Sequence, residues 1–552
     1  MKRRDLFRFA GISSACLMLP QITRAQAGQG PLSGPFLHGV ASGDPLTDRV
    51  IIWTRLSAPK GVDNVPVKWT MSRDPGFKEV QSVGQTVASS ERDFCVKVDV
   101  DNLEPGRSYF YRFDALGSQS RLGRTRTLPA GQVEQFTLAA VSCSNFPAGF
   151  FTVYRDIASR SDVDVLLHLG DYIYEYASDG YASHRAREFG RVSVPAWELI
   201  GLEDYRLRHA QYKSDPDLQA VHAAMPMIAI WDDHEVANDA WMDGAENHDS
   251  LTEGPWSERK NSGFRAYDEW MPIRSADLQT KGELFRSFKV GDLLSLHMLD
   301  TRFYGRAEQV KPLEHLQDVE QLERLRADPT RELLGADQLD WLRNSLRGCE
   351  ARWQLIGQQV LVSELLLPDL SGVLNIEETR RRLGPELVDA LLAMGGKGMP
   401  MMWDAWDGYP AARSRLVELL YREASSPVII TGDTHTGMAG NIPGPMRDRP
   451  VAVEMVTPSV SSPGFDEYFP TNGNNQLAPS FLAANPNLKY METARRGWLR
   501  MTVTPHECHG YWHLANRVDQ PNGHLGVDAH WVTAHREEPN FGLRRPGRTD
   551  AS

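Results

Sequence analysis

Cysteine is scarce in this chain, and its distribution excludes one class of protein. Five cysteines occur among 552 residues, far apart in the sequence. A disulfide-stapled domain needs several cysteines at short spacings, so no disulfide framework is expected, although one long-range bridge stays open. The five positions are Cys16, Cys95, Cys143, Cys349 and Cys508. We therefore expect stability to come from hydrophobic burial, which a chain of this length can supply.

The sequence also lacks a long apolar run and a surplus of positive charge. Its apolar segment at residues 9–19 falls short of the roughly 20 residues that span a bilayer, so we expect no stable membrane anchor. The net charge of −12 argues against a general nucleic-acid binder. With 41% hydrophobic and 24% charged residues, the chain is typical of a globular protein of two or more domains.

Residues 1–27 have the pattern of an export signal. Arg3 and Arg4 precede the apolar segment, and Ala25-Gln26-Ala27 offers small residues for cleavage. Paired arginines before a modest apolar segment indicate the twin-arginine export machinery, and the alternative is an ordinary signal peptide with a chance arginine pair. The sequence thus predicts an exported protein, periplasmic or secreted.

Residues 34–130 predict a β-sandwich. Short strand-like runs, such as 50–54, 67–70 and 108–113, alternate with turn residues at the spacing of sandwich domains. The stretch LEPGRSYFY at 103–111 resembles the corner before a late strand of fibronectin type III domains. This part contains no cluster of convergent polar residues, so we expect a structural role.

The pattern changes to alternating strands and helices in residues 133–515. Buried strands are predicted at the ranges 136–141, 165–169, 227–231, 294–299, 353–357 and 428–431, and a helix at 151–159 connects the first two. The fold class predicted for this part is a layered α/β domain. Residues 516–552 are predicted to hold a strand and a polar tail, which we expect to be disordered from about Arg536.

Metal-capable side chains follow several of these strands. They are Cys143, Asp171 with Tyr174, Asp233 with His234, and Asp433 with His435. A single such residue is most often a cap, a turn former or solvated. Because the carboxyl ends of parallel strands line one crevice, several of them in chain order predict a common site. Asp300 and Arg302 also follow a strand, and they are either an internal ion pair or substrate contacts.

These strand ends carry a family resemblance. The ordered motifs are SCSN (142–145), GDYIYEY (170–176), IWDDHEVAND (230–239), LDTRFYG (299–305), WQLIGQQ (353–359), WDGYPAAR (406–413) and ITGDTHTG (430–437). They resemble the alkaline phosphatase D (PhoD-like) family of calcineurin-like metallophosphoesterases. The resemblance runs from about Gly39, in the motif GVASGDP, to Thr504. It implies a four-layer α/β/β/α core behind a fibronectin-like β-sandwich.

The resemblance also implies a two-metal site. Asp171 matches the carboxylate that bridges the metals. Cys143, Tyr174 and His435 match the remaining ligands of a ferric ion, and Asp233 with Asp433 match the oxygen-rich side, which holds calcium in this family. Thiolate and phenolate favour Fe3+, whereas carboxylates favour Ca2+ or another hard divalent ion, so the donor chemistry agrees.

Other positions are left open by the resemblance. His234 resembles the family's histidine that supports a metal ligand or faces the phosphate, and Gln358 or Gln359 is a candidate amide ligand. Asn145 is a turn residue or a phosphate donor. Relatives often have Asn-Pro-His where this chain has Asn485-Pro486-Asn487, which puts a substrate contact in that loop in doubt.

The function implied is hydrolysis of phosphate esters. A metal-bound hydroxide would attack phosphorus while His234 donates a proton or a hydrogen bond, in a secreted phosphomonoesterase and phosphodiesterase that scavenges phosphate. One alternative is a phospholipase D-like phosphodiesterase using the same site. The other is a non-catalytic cell-surface binding protein, which predicts that some ligand positions are vacant.

Overall fold

The computed structural model describes residues 34–275, 278–315, 318–445, 449–473 and 476–547. The predicted export signal at residues 1–27 lies outside these ranges. Among the described residues, no helix has both the length and the apolar character that crossing a membrane requires. The four cysteines within them, Cys95, Cys143, Cys349 and Cys508, are all free thiols, so no long-range bridge forms between them.

The β-strands form the sheets at the centre of the fold. They are β1 Val40–Gly43, β2 Val50–Arg55, β3 Asn64–Ser72, β4 Val80–Ser89, β5 Cys95–Val100, β6 Ser108–Ala115, β7 Ser118–Gln119, β8 Gly123–Arg126, β9 Phe136–Val141, β10 Val165–Leu169, β11 Met227–Ile230, β12 Arg286–Val290, β13 Leu294–Met298, β14 Trp353–Gly357, β15 Pro427–Thr431, β16 Gly437–Pro443, β17 Pro450–Val456, β18 Leu488–Glu492, β19 Gly497–Val503, β20 Glu507–Ala515 and β21 Leu525–Ala534. The six buried strands predicted for the α/β part are all present, as β9, β10, β11, β13, β14 and β15.

Helices lie mainly in the segments that connect these strands. They are α1 Thr152–Ala158, α2 Ala186–Phe189, α3 Leu202–Lys213, α4 Pro216–Ala224, α5 Trp256–Trp270, α6 Leu278–Lys281, α7 Val319–Arg326, α8 Ala336–Arg347, α9 Ile376–Leu383, α10 Pro385–Met394, α11 Pro410–Glu423, α12 Phe465–Tyr468 and α13 Leu477–Ala484. Local sequence explains several starts. At α4, for example, Asp215 accepts hydrogen bonds from the N–H groups of Asp217 and Leu218, and Pro216 occupies the first helical position.

Within the described residues, the strands form three sheets. The largest has nine strands in the order β21-β20-β19-β9-β10-β11-β1-β2-β5, and the second has seven in the order β12-β13-β14-β15-β17-β16-β18. A five-stranded sheet has the order β4-β3-β6-β7, with β8 paired to β6. The predicted mixed α/β class is confirmed.

The two larger sheets pack against each other through apolar side chains. Leu138 and Leu167 of the nine-stranded sheet share one buried cluster with Leu355 of the seven-stranded sheet. The next residue along β14, Ile356, belongs to a second cluster with Leu416 of α11. Successive strand residues point to opposite faces, so β14 is buried between the facing sheet and a helix.

The N-terminal strands do not form a separate sheet pair. β1 runs parallel to β11, with Gly43 opposite Met227, so β1, β2 and β5 extend the nine-stranded sheet. A Cβ at Gly43 would lie 2.1 Å from the carbonyl oxygen of Pro272, so only glycine allows this approach. The five-stranded sheet covers β1 and β2 through a buried cluster that includes Val40 and Tyr111. The predicted N-terminal strands are present, but one of their two sheets is continuous with the sheet of the α/β part.

The prediction of a disordered tail from about Arg536 is wrong for residues 536–547. Phe541 and Leu543 are buried, and the N–H of Leu543 donates to Oδ1 of Asn441 at 2.9 Å. The backbone of Arg544 forms an isolated β-bridge with Val532 of β21, and its guanidinium forms an ion pair with Glu507 of β20. Two apolar side chains in an otherwise polar segment are sufficient to anchor it on the sheet.

Candidate metal centre

The predicted site residues lie at the carboxyl ends of neighbouring parallel strands. Cys143 follows β9 and Asp171 follows β10, and these two strands run parallel in register with Leu167 opposite Ala140. Asp233 and His234 follow β11, which pairs parallel with β10. Asp433 and His435 follow β15 of the facing sheet. The packing of the two sheets therefore brings these loops to one edge.

Four of these residues have an unusual backbone. The φ angles are 61° for Cys143, 55° for Asp171, 59° for Asp433 and 55° for His435, all in the left-handed region that non-glycine residues rarely adopt. Each such residue costs on the order of 1–3 kcal/mol, and such strain is concentrated at functional sites.

Cys143, Asp171 and His435 form the first group of possible ligands. One ligand atom from each lies within 4.8 Å of the others. The hydroxyl of Tyr174 donates to Oδ2 of Asp171 at 2.8 Å and lies 3.3 Å from Nε2 of His435. Nδ1 of His435 donates to the carbonyl oxygen of Pro463 at 2.8 Å, which leaves Nε2 facing the group. The thiol, carboxyl, phenol and imidazole predicted to bind one metal are thus together.

The pKa values in this group show the effect of burial. Burial lowers the pKa of His435 to about 3, so its imidazole is neutral, as a metal ligand must be. Burial, with Asp171 as the next cause, raises the pKa of Cys143 and of Tyr174 well above their ordinary values. A cation between these groups would oppose both shifts, because it favours the thiolate and the phenolate.

Asp171 also belongs to a second group, with Asp233 and His234, and Asp233 joins Asp232 and Asp433 in a third. Oδ1 of Asp171 and Oδ1 of Asp233 are buried, and neither has a hydrogen-bond partner among the described residues. Orphaned carboxylate oxygens of this kind are costly unless a cation binds them. The residues present therefore fit two cations that share Asp171.

His234 is positioned by a carboxylate that the sequence analysis does not single out. Nδ1 of His234 donates to Oε2 of Glu175 at 2.8 Å, and Oε1 of Glu175 accepts from the N–H of Asn238 at 2.8 Å. Burial alone would lower the pKa of His234, but Asp233 and Glu175 raise it well above its ordinary value. These carboxylates therefore favour the protonated imidazole, and cations bound to Asp171 and Asp233 would oppose that shift.

Arg302 does not form the predicted ion pair with Asp300. The carboxylate of Asp300 accepts hydrogen bonds from Nε1 of Trp231 at 3.0 Å and from the N–H groups of Arg302 and Phe303, so it shapes its own loop. The guanidinium of Arg302 instead pairs with Asp232 and lies 3.4 Å from Asp433 and 3.7 Å from Asp233. Arg302 thus partly neutralises the acidic side of the site.

Gln358 and Gln359, the two candidate amide ligands, both form structural hydrogen bonds. Oε1 of Gln358 accepts from Nε1 of Trp406 at 3.1 Å, and Oε1 of Gln359 accepts from the N–H and the hydroxyl of Thr301, so both amides already hold loops together. Asn145 is a turn residue through Oδ1, which accepts from the N–H of Ala148 at 3.2 Å. Its Nδ2 is buried, and no described residue accepts from it.

Asn485, the first residue of the Asn485-Pro486-Asn487 stretch whose last residue departs from the relatives' pattern, is also structural. Its side-chain oxygen accepts from the N–H of Leu366 at 2.7 Å, and its Nδ2 donates to the carbonyl oxygen of the same residue at 3.0 Å. This loop pins the segment after β14.

Several site residues are absent from the sequence-based set. They are Glu175, Asp232, Asp404 and Ser462. Glu175 had a signal, since it follows Asp171 by four positions in the same motif, and Asp232 directly precedes Asp233. Asp404 and Ser462 lie on loops with no local pattern, and only the tertiary fold brings them to the site.

Comparisons with known proteins identify the family of the chain. Residues 138–512 match the family model described as PhoD-like phosphatase, and residues 23–129 match that of the PhoD-like phosphatase N-terminal domain. Alkaline phosphatase D of Bacillus subtilis (strain 168) is 32% identical over 562 aligned residues, which cover 98% of this chain and 88% of that protein. A solved structure described as "Structure of PhoD" is 32% identical, with a TM-score of 0.78 over 94% of this chain and 93% of that one.

The chain belongs to the PhoD-like phosphatase family. It is therefore a phosphoric ester hydrolase of the alkaline phosphatase type. All six positions predicted to bind metal carry a side chain capable of doing so, and family membership excludes the rival hypothesis of a non-catalytic binding protein.

Proposed function

We propose that this enzyme is a metal-dependent hydrolase of phosphate mono- and diesters with a two-cation centre. The observation that carries the proposal is that Asp171 belongs to two groups of possible ligands. One group contains Cys143 and His435 and the other contains Asp233, and within each group the ligand atoms lie within 4.8 Å of one another. Two clusters of donors joined by one carboxylate are the arrangement that clamps both the attacking and the leaving oxygen of a phosphoryl transfer.

The donor sets favour two different cations. Cys143, Tyr174 and His435 supply a thiolate, a phenolate and an imidazole, which suit Fe3+, while Asp233 and Asp433 supply the oxygen ligands that suit Ca2+. Asp171 would bind both. When bound, this pair would supply Lewis-acid activation of water and of the phosphoryl group.

The chain's own residues orient the ester and move the proton. His234, oriented by the hydrogen bond from its Nδ1 to Glu175, is placed to donate a proton to the departing alkoxide or a hydrogen bond to a phosphoryl oxygen. Nδ2 of Asn145 is a buried donor with no partner in the described part of the chain, and it would bind a phosphoryl oxygen. Arg302 offsets the charge of the surrounding aspartates.

The test is an activity assay with a matched control. The wild-type enzyme is expected to hydrolyse p-nitrophenyl phosphate and bis-p-nitrophenyl phosphate, and Asp171→Asn to lower kcat/KM for both by at least about 100-fold, since even changes behind metal ligands cost 10–100-fold. Asp217→Asn, a partly buried carboxylate on α4 with an ion pair to Arg155 at 3.6 Å, is the control. Equal activity of Asp171→Asn and Asp217→Asn would refute the proposal.

We also propose that the enzyme is exported by the twin-arginine machinery and serves phosphate scavenging. The support is the pattern of Arg3, Arg4 and the following apolar segment. Cell fractionation checks it: replacing both arginines by lysine should retain the full-length chain in the cytoplasm, and undiminished export of that variant would contradict the proposal.

The finer fold expectations are part of the same proposal. The buried cluster shared by Leu138 and Leu355, with α11 on the other side of β14, supports a four-layer α/β/β/α core. The five-stranded sheet packed over β1 and β2 supports a fibronectin-like sandwich. A crystal structure that placed α11 outside the outer layer would contradict the layer assignment.

A further inference from the structure

Two histidines face each other on the adjacent antiparallel strands β20 and β21. Nδ1 of His509 lies 3.0 Å from Nε2 of His530. Along β20, Glu507, His509 and Tyr511 are partly exposed, whereas the residues between them are buried, so the pair lies on the solvent side of the sheet. The side chain of His509 is 21% exposed, so an ion in solution can reach it.

This histidine pair is remote from the candidate metal centre. His509 pairs with Thr502 of β19, and Thr502 pairs with Thr137 near the start of β9. Cys143 follows the opposite end of β9, which at the rise of an extended strand is on the order of 20 Å away from Thr137. The two histidines therefore belong to a different part of the fold, and what they bind is independent of the proposed function.

Neighbouring side chains fix the orientation of both imidazoles. Nε2 of His509 lies 3.3 Å from Oε2 of Glu507, so this nitrogen carries the proton and Nδ1 presents its lone pair to His530. The other oxygen of Glu507 forms an ion pair with Arg544, which holds the carboxylate. The ring of His530 stacks on that of Tyr511, with centroids 3.9 Å apart and planes 19° from parallel. A histidine whose second nitrogen donates to a carboxylate is the usual arrangement of a metal-binding imidazole.

The separation of the two nitrogens suits a divalent transition-metal ion. Two nitrogens that each lie about 2.0 Å from one ion are about 2.8 Å apart at a right angle and about 3.3 Å apart at the tetrahedral angle. The observed 3.0 Å lies between these values. Burial lowers the pKa of both imidazoles, so both are neutral at neutral pH, as metal ligands must be.

We propose that Nδ1 of His509 and Nε2 of His530 bind one Cu2+ or Zn2+ ion at the surface of the sheet, with water completing its coordination. Imidazole is a good ligand for both ions, and Cu2+ binds a given nitrogen site more tightly than Zn2+. Without the ion, Nε2 of His530 donates to Nδ1 of His509. When the ion binds between them, the proton of His530 moves to its own Nδ1, so binding releases no proton.

Isothermal titration calorimetry of the tag-free, metal-loaded enzyme with Cu2+ and with Zn2+ tests the site. The wild type should bind one ion that the double variant His509→Gln, His530→Gln does not bind, because both ligands are removed. Glu507→Gln should weaken this binding about 10- to 100-fold, the usual loss when a residue that orients a metal ligand is changed. His524→Gln, which removes an exposed histidine from the loop between β20 and β21, is the control and should bind as the wild type does.

Electron spin echo spectroscopy of the Cu2+-loaded enzyme gives a second readout, because it counts the imidazoles bound to copper. The wild type should show two imidazoles and His530→Gln should show one. Equal Cu2+ binding by the wild type and by a double variant of unchanged melting temperature overturns the inference, as does a wild-type spectrum without imidazole. Hydrolysis of p-nitrophenyl phosphate should be the same in both proteins, and a loss in the double variant would contradict a site separate from the catalytic one.

Discussion

At the scale of single residues, Tyr174 is the most informative of the predicted ligands. Its hydroxyl donates to Asp171 at 2.8 Å, and the hydroxyl of Ser462 donates to its oxygen at 2.7 Å. Ser462 is far away in the sequence, yet it is the group that would hydrogen-bond a Tyr174 phenolate. In the proposed centre Ser462 would therefore be a positioning residue that tunes the phenolate rather than a ligand.

A visible absorption band tests this assignment. Iron bound by a phenolate absorbs in the visible range, so Tyr174→Phe should abolish the band of the purified enzyme. Ser462→Ala should keep the band and move it to longer wavelength, because the phenolate then loses a hydrogen bond that stabilises its electrons. A band that survives in Tyr174→Phe would contradict the assignment of Tyr174, and an unmoved band in Ser462→Ala would contradict the role of Ser462.

The sequence predicts those site residues that follow a buried strand. Cys143, Asp171, Asp233 and His435 could be found because short apolar runs precede them and parallel strands end at one edge. Arg302 contacts Asp232, Asp233, Asp404 and Asp433, and Ser462 contacts Tyr174, and these contacts depend on how loops of the two sheets meet. No local pattern encodes that meeting, and this is why the sequence leaves the roles of Asp300 and Arg302 open.

At the scale of elements, helix α3 uses buried polar side chains to support the loop after β10, which carries Asp171 and Tyr174. Arg208 donates to the carbonyl oxygens of Tyr174 and Tyr176, and it thereby holds the loop after β10. Lys213 is buried at the end of the same helix, with Nζ 3.4 Å from Nε2 of His222 and above the rings of Trp53 and Tyr172. Because α3 buries charged as well as apolar side chains, its buried face does not show as an apolar stripe in the sequence.

Lys213 makes stability depend on pH. Burial lowers its pKa from 10.5 to about 7, while His168, His209 and His222 nearby have pKa values lowered by burial and stay neutral. Between pH 7 and pH 10.5 the unfolded chain binds the proton more tightly than the folded chain, so this group favours folding increasingly as pH rises. Its penalty at neutral pH is on the order of a few kcal/mol.

Lys213→Met should therefore melt a few degrees above the wild type at pH 7, and the difference should shrink toward pH 10. Differential scanning calorimetry across this range measures it. Lys489→Met, which removes an exposed lysine on β18, is the control and should show no such trend. A difference in melting temperature that stays constant with pH would contradict the lowered pKa of Lys213.

Most elements could be predicted, but their pairing could not. The strands before Cys143, Asp171 and Asp233 have four to six consecutive buried residues, which is a strong local signal. The pairing of β1 with β11 joins residues about 180 positions apart through a close approach at Gly43. The glycine gives no indication of its distant partner in the sequence, so the sequence alone predicts a sandwich separate from the α/β part.

At the scale of the whole molecule, charge is divided between regions. The chain carries 72 acidic and 60 basic residues, and Asp232, Asp233 and Asp433 form one acidic group at the site, where Arg302 offsets part of their charge. An acidic group of this kind attracts cations. Local charge rather than net charge therefore decides which ligands bind.

The metal content of the purified wild-type enzyme tests the central claim most directly. Inductively coupled plasma mass spectrometry should find stoichiometric iron and calcium in the wild type, and Asp171→Asn should lose a large part of both, because this carboxylate is shared by the two groups of ligands. A folded, fully active wild-type enzyme that holds neither iron, calcium nor another metal would contradict the account, as would an Asp171→Asn variant with unchanged metal content.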